Sequence, residues 1–336
     1  MGVTIKDIAK LANVSHTTVS RALNNSPLIK PDTKNKIMEI ATMLNYTPDF
    51  NAKSLVMQKS YTIGLFFSYI SDGTSASFLA DTIKGVNRVI DENYNLYIRA
   101  VSDIKDFSIV NSKRFDGIIL MSQSNIDNPF IYDVIQKEIP LIVLNREIED
   151  PSILNILSND KEGVYEAIST LIKYGHRQIG LIEGVEGFKS SQERRDGYLK
   201  ALIENNISIN DQLIVKGNYD MESGYNAMKE LLNKPVKPTA VFCSNDEMAI
   251  GGLNAALELG YQVPEDLSII GFDDIGFAKY TTPSLTTIKR PIEEISIMGL
   301  QKLFSLINGE APTQNRFFLN TELVIRNSVN RTKYES

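Results

Sequence analysis

The chain has 336 residues, 43% hydrophobic and 23% charged, an ordinary soluble composition at a length that suits two or three domains. One cysteine and two histidines exclude a disulfide framework and cannot complete a Cys/His zinc site, so neither metal nor cofactor is expected. Apolar runs such as 117–121 are far shorter than the ~20 residues of a membrane span, and the start MGVTIKD shows no export signal, so a cytoplasmic protein without membrane contact is expected.

The net charge of −6 hides an asymmetry. Residues 1–60 carry eight basic and four acidic side chains, net +4, and the remainder carries 27 basic and 37 acidic, net −10. A small basic head on an acidic body suggests a polyanion-binding module joined to something else.

Three short helices fit the head. Thr4 and Asp7 form a capping-box pair before Ile5, Ile8, Ala9 and Ala12, which fall on one helical face. After a break at Asn13 and Val14, Ser15 caps a second helix that buries Val19, Ala22 and Leu23. Pro31 and Asp32 open a third, with Ile37, Ile40, Ala41 and Leu44 at helical spacing. Two short helices joined by a tight turn, with a supporting third, make a helix-turn-helix. The outer face of its second helix carries Ser15, His16, Thr17, Ser20, Arg21 and Asn24. Such side chains suit base edges and phosphates in a major groove, and equally a solvated face on any small bundle.

The string VTIKDIAKLANVSHTTVSRALN at 3–24, continued by LNYTP at 44–48, resembles the head of the lactose/galactose-repressor family of bacterial transcription regulators. The resemblance implies His16, Thr17 and Arg21 as base readers. It implies Ser15, Thr18, Ser20, Asn24 and Tyr46 as mostly phosphate contacts, with Thr4 in the same DNA-binding set. It also makes residues 49–60 a hinge helix that enters the minor groove, with Leu55 as the apolar wedge and Ala52 and Lys53 beside it. Asp49, where the family usually has Asn, and the bulky Phe50 depart from that pattern.

From residue 61 short apolar runs (62–67, 96–101, 117–121, 141–144, 179–183, 240–243, 267–271) alternate with helical stretches (78–93, 129–137, 163–174, 194–205, 221–232, 246–259, 292–307). That alternation means βαβ units and parallel sheets. The number of units suits two doubly wound lobes, whose strand ends would enclose a ligand from both sides.

No dinucleotide, Walker or nucleophile-elbow signature stands at those strand ends. His176, in GHR at a helix end, reads as structural. Asp273 and Asp274, adjacent on one strand, point to opposite faces and make a poor catalytic pair. Cys243 reads as a buried hydrophobe. The same ends offer Arg194, Tyr219, Asn245 and Asp273. Guanidinium, amide and carboxylate can each engage two neighbouring hydroxyls, and a ring can cover a sugar's C–H face; each alone is equally a cap or surface residue.

The segments SNDEMAIG (244–251), VPEDLSIIGFDD (263–274) and PSLTTI (283–288) are similar to the same family's periplasmic-binding-protein-like sensor. The resemblance therefore covers nearly the whole chain. It implies an all-α helix-turn-helix head at 1–48, the hinge at 49–60 and an α/β body at 61–330. The first lobe would comprise about 61–158 plus 289–316, the second about 159–288 plus 317–330. Arg194, Tyr219, Asn245 and Asp273 are the implied effector contacts, with Ser190, Asp160 and Phe78 as further candidates. The loop SYISDGTSAS at 68–77 is longer than the family's and lacks its proline; it either adds hydroxyl contacts and a small lid or is a plain surface loop.

The reading is a non-enzymatic repressor, dimeric on a pseudopalindromic operator and gated by a sugar or sugar derivative between the lobes. The polar C-terminus has no heptads for a tetramerising coiled coil. Response to a purine or to a phosphorylated carrier protein is the other binding reading. A carbohydrate-binding protein or hydrolase without a DNA role is the remoter one.

Overall fold

The computed structural model describes residues 3–23, 25–46, 59–70 and 73–333. The chain divides into a head, Met1–Lys59, and a body, Ser60–Ser336. Asn24 and the hinge candidates Asp49, Phe50, Ala52, Lys53 and Leu55 lie outside the described residues.

The head holds α1 (Ile5–Ala12), α2 (His16–Leu23) and α3 (Pro31–Met43). The Thr4 backbone N–H and hydroxyl both donate to the Asp7 carboxylate, at 2.9 and 2.7 Å, and start α1. Asn13, in the left-handed region at φ 58°, ends it. The Ser15 hydroxyl accepts from the Thr18 N–H at 3.1 Å and opens α2. Pro31 sits in the first turn of α3, where its missing N–H costs nothing. The three apolar faces meet at Ile8, Ala12, Val19, Ala22 and Ile37. Lys36 Nζ donates to the Ala12 carbonyl at 3.2 Å, so α3 satisfies the open end of α1.

The body contains two six-stranded sheets. The first joins β1 (Thr62–Phe67), β2 (Asn95–Ala100), β3 (Gly117–Met121), β4 (Leu141–Leu144), β5 (Leu154–Ser158) and β11 (Arg316–Leu319), in the order β11-β5-β4-β3-β1-β2, all parallel. The second joins β6 (Ile179–Glu183), β7 (Ile214–Lys216), β8 (Ala240–Cys243), β9 (Ser268–Asp273), β10 (Thr286–Lys289) and β12 (Glu322–Val324), in the order β12-β10-β9-β8-β6-β7. Only β12, on β10, runs antiparallel. The helices are α4 (Ala76–Asn87), α5 (Asn128–Gln136), α6 (Asp160–Lys173), α7 (Lys189–Glu204), α8 (Met221–Asn233), α9 (Asp246–Glu258) and α10 (Ile292–Ile307).

Each sheet is covered on both faces, and side-chain alternation along the strands shows it. In β1, Ile63, Leu65 and Phe67 join a cluster with Val86 of α4 and Leu300 and Leu303 of α10. Phe66 points the other way, to Phe130 and Val134 of α5. In β8, Val241 and Cys243 meet α8 and α9, while Ala240 and Phe242 meet α6 and α7. Burial on both faces is why these strands read as unbroken apolar runs. Helices α8 and α9 touch at glycine: a Cβ at Gly224 would stand 2.2 Å from the Met248 carbonyl oxygen, and one at Gly251 1.9 Å from that of Met221.

The two lobes are as expected, with corrections at their limits. Lys289 belongs to the second lobe, because it pairs with Asp273 in β9. Residues 317–319 belong to the first, because they pair with 156–158 in β5. The chain therefore crosses between lobes beside residue 159, at 290–291 and at 320–321. Strands β5, β7, β10, β11 and β12 were not expected from the sequence. Helix α7 starts at Lys189, a turn before the expected 194. Among the described residues no helix is long and apolar enough to cross a membrane.

Candidate DNA-reading face and effector site

On the head, His16, Thr17 and Arg21 of α2 are exposed, and Ser20 is half-buried beside them. Ser15 and Thr18 serve the fold first: their hydroxyls lie 2.9 Å apart around the start of α2. Thr4 likewise spends its hydroxyl on Asp7. Tyr46 is half-buried against the head core. The polar face expected of α2 is therefore present on a capped helix packed into the head core.

In the body, the carboxyl ends of the parallel strands face one another across the lobes and line a small inner chamber of about 30 Å³. Six of the seven expected contacts meet there: Phe78, Ser190, Arg194, Tyr219, Asn245 and Asp273. The early start of α7 brings Ser190 into line with Arg194, four residues on and on the same face.

Asp160 is the exception. It does not line the chamber; it is 1% exposed behind two arginines. Its Oδ2 accepts from Arg194 Nε at 3.1 Å and Nη2 at 2.9 Å, and its Oδ1 lies 3.2 Å from Arg290 Nε. Burial alone would raise its carboxyl pKa, but Arg290, Arg194 and the Ser158 hydroxyl outweigh it and hold it below the usual range. Asp160 is thus a positioning group. It aims Arg194, which also donates to the Ser244 carbonyl at 2.5 Å and stacks 3.8 Å over the Phe272 ring.

Asp273 keeps one oxygen uncommitted. Its Oδ1 is buried without a hydrogen-bond partner, 3.6 Å from Arg194 Nη2. Burial pushes its carboxyl up to about 6, against the pull of Arg194 and Arg290. Asn245 is more committed than expected: its amide donates to the Tyr219 carbonyl at 2.9 Å and its oxygen caps α9 through the Met248 N–H at 2.9 Å. The Tyr219 hydroxyl meets Ser191 at 2.8 Å and Ser190 at 3.3 Å. It passes so close to Gly184 that a Cβ there would lie 2.3 Å from it. Three chamber residues, Asn145 (φ 73°), Tyr219 (φ 63°) and Asp273 (φ 108°), occupy left-handed backbone, the kind of strain that collects at ligand sites.

The structure adds Arg290, Asn145, Gln123 and Ser75 to the chamber wall. Asn145 directly follows the expected strand 141–144, so the strand-end signal was present. Arg290 follows β10, a strand the sequence reading did not separate. Beside the chamber, between the lobes, lies a vestibule of about 1190 Å³. Ser190 and Arg194 of α7 face the chamber, and their neighbours Ser191 and Arg195 face the vestibule.

The residues set aside as chemistry stay so. His176 is 3% exposed between Thr239 Oγ1 and the Asn330 carbonyl, at 2.9 and 3.0 Å, and burial lowers its pKa. Burial pushes the Cys243 thiol up, away from thiolate chemistry. Asp274 pairs with Arg326 at 2.6 Å, while Asp273 lines the chamber.

A capped helix-turn-helix and a two-lobed body with a polar chamber at its strand ends define a ligand-responsive DNA-binding regulator. Residues 4–49 match the description "Bacterial regulatory proteins, lacI family", and residues 168–329 match a periplasmic binding protein-like domain. A probable HTH-type transcriptional repressor ExuR of Bacillus subtilis is 62% identical over 329 residues, covering 98% of this chain and 99% of its own. The lac repressor dimer bound to operator and the anti-inducer ONPF superposes with a TM-score of 0.86 at 26% identity, over 98% of this chain and all of that one. A transcriptional regulator CelR–cellobiose complex superposes with a TM-score of 0.73 at 25% identity, over 97% and 99%. The chain belongs to the lacI family of bacterial regulatory proteins and is a transcriptional repressor, not an enzyme.

Proposed function

We propose that this repressor works in the cytoplasm as a homodimer on a pseudopalindromic operator, and that a sugar or sugar derivative in the inner chamber sets its operator affinity. His16, Thr17 and Arg21 read bases, and Thr4, Ser15, Thr18, Ser20 and Tyr46 hold phosphates or the helices that meet them. The observation that carries the sugar reading is Asp273 Oδ1, a buried acceptor without a hydrogen-bond partner, 3.6 Å from the Arg194 guanidinium. A vicinal diol satisfies both at once, donating to the carboxylate and accepting from the guanidinium. Phe78 and Tyr219 offer ring faces to its C–H groups. The relatives described with cellobiose and on an operator support both halves of the reading.

The effector acts by linkage. It binds one lobe arrangement better than another, and the same difference in free energy appears in operator affinity. The test is calorimetric titration of the intact repressor with a panel of monosaccharides, disaccharides and sugar acids, repeated on Asp273→Asn. Saturable binding that weakens at least tenfold in the variant is expected. No binding to any member of the panel, with operator release unaltered by Asp273→Asn, would overturn it.

A further inference from the structure

Tyr69 and Gly73, in the long loop after β1, reach the other lobe. Tyr69 packs against the core of the second lobe. Its ring stacks on Phe188 at 6.0 Å between centroids and 19° between planes. Phe188 in turn stacks on Tyr219 at 6.3 Å and 27°. Gly73 of the same loop closes on Phe188 and Val185 so tightly that a Cβ there would lie 3.2 Å from both Phe188 Cζ and Val185 Cγ2. A backbone bond from the Lys189 N–H to the Gln123 carbonyl, 2.9 Å, pins the lobes beside the stack.

The position of the stack gives it consequence. Phe188 lines the vestibule and Tyr219 lines the chamber, so these two rings are part of the wall between them. The chamber of about 30 Å³ is far smaller than ligand clefts, which run to ~300 Å³ or more. A sugar therefore does not fit while the wall stands. Parting the rings would merge the chamber with the 1190 Å³ vestibule.

We propose that Tyr69 is a positioning residue: with Phe188 it clasps the two lobes, fixes Tyr219 against the chamber, and must release before a ligand is admitted. Its consequence for the effector rests on the sugar-site reading above; the clasp itself does not, and its test uses no effector. Spin labels on Glu149→Cys and Glu186→Cys report the vestibule mouth, both positions being exposed and on opposite lobes. The native cysteine, Cys243, is fully buried and leaves the labels unambiguous. Tyr69→Ala is expected to shift the distance distribution to longer values, and Tyr69→Phe, which keeps the stack, to retain the parent distribution.

In parallel, Ser190→Cys places a thiol in the chamber wall. Its alkylation by iodoacetamide should run about tenfold faster with Tyr69→Ala, the scale that one aromatic pair sets. Phe188→Leu keeps apolar volume without the stack and should open the mouth as well, which keeps the test decisive if Tyr69→Ala does not fold. Parent-like distances and parent-like alkylation in a folded Tyr69→Ala or Phe188→Leu protein would overturn the clasp.

Discussion

Arg290 and Asp160 meet at 3.2 Å, and each stands beside one of the three crossings between the lobes. The pair joins the crossing beside residue 159 to the one at 290–291, and both side chains are nearly inaccessible, at 4% and 1%. Arg290 also reaches Ser158 at 2.9 Å and Asn145 of the first lobe. Removing one partner leaves a buried charge uncompensated, which costs ~3–5 kcal/mol. Asp160→Asn should therefore lower the urea midpoint sharply, while Asp160→Asn combined with Arg290→Gln recovers part of the loss. A double variant no better than the single would show that the two charges are not coupled.

The same carboxylate predicts an acid limit. The folded-state pKa of Asp160 lies below its ordinary value, so its contribution is complete above the ordinary carboxylate range. It is lost as pH falls through that range toward the depressed value. Urea midpoints measured from pH 6 down to 3 should fall more steeply for the parent than for Asp160→Asn.

Asp273 has the opposite sign. Its carboxyl titrates near 6 in the folded protein, so protonation below that point stabilises the fold relative to the charged form. A ligand hydroxyl that donates to the carboxylate needs it ionised. Effector affinity should be flat above pH 7 and should drop by up to about tenfold per pH unit below 6. Asp273→Asn should show a weaker, flat profile. A parent profile that is flat from pH 5 to 8 would remove Asp273 from the contact set.

On the head, Arg21→Ala should abolish the difference between operator and random duplex in a gel shift. Ser20→Ala should weaken both alike, as loss of a proposed phosphate contact does. Retained discrimination in Arg21→Ala would assign base reading elsewhere on α2.

The contact between α8 and α9 offers a packing test behind the chamber wall. Gly251→Ala drives a Cβ into the Met221 carbonyl oxygen, 1.9 Å away, and should cost about 1–3 kcal/mol in unfolding.

Most of the architecture was legible in the sequence because its signals are local. Apolar runs gave β1, β3, β4, β6 and β8 with their limits, and capping residues marked the starts of α1, α2 and α3. Three of the strands that were not read, β7, β11 and β12, are edge-placed, and in interior β5 Asn155 interrupts the apolar run. Half-exposed β11, β12 and β7 lack a continuous apolar run, and β10 carries two threonines whose burial comes from the surrounding lobe. The chamber residues found were those on recognisable strand ends or in the family's motifs. Arg290 was not read because β10 was not, and the division of labour between Asp160 and Asp273 depends on which carboxylate is buried behind the arginines. The role of Tyr69 depends on a partner 119 positions away and has no local signal at all.

Helix α10 covers one face of the first sheet, where Phe67, Met121 and Leu144 lie against Ile295, Leu300 and Leu303. Those partners are separated by well over a hundred residues of second-lobe sequence. During synthesis the ribosome therefore delivers the whole second lobe while that face of the first is covered by α4 but not yet by α10. The first lobe cannot finish folding until α10 and β11, through residue 319, have emerged, and for that interval the part of its apolar sheet face that α10 later covers is a natural target for chaperones.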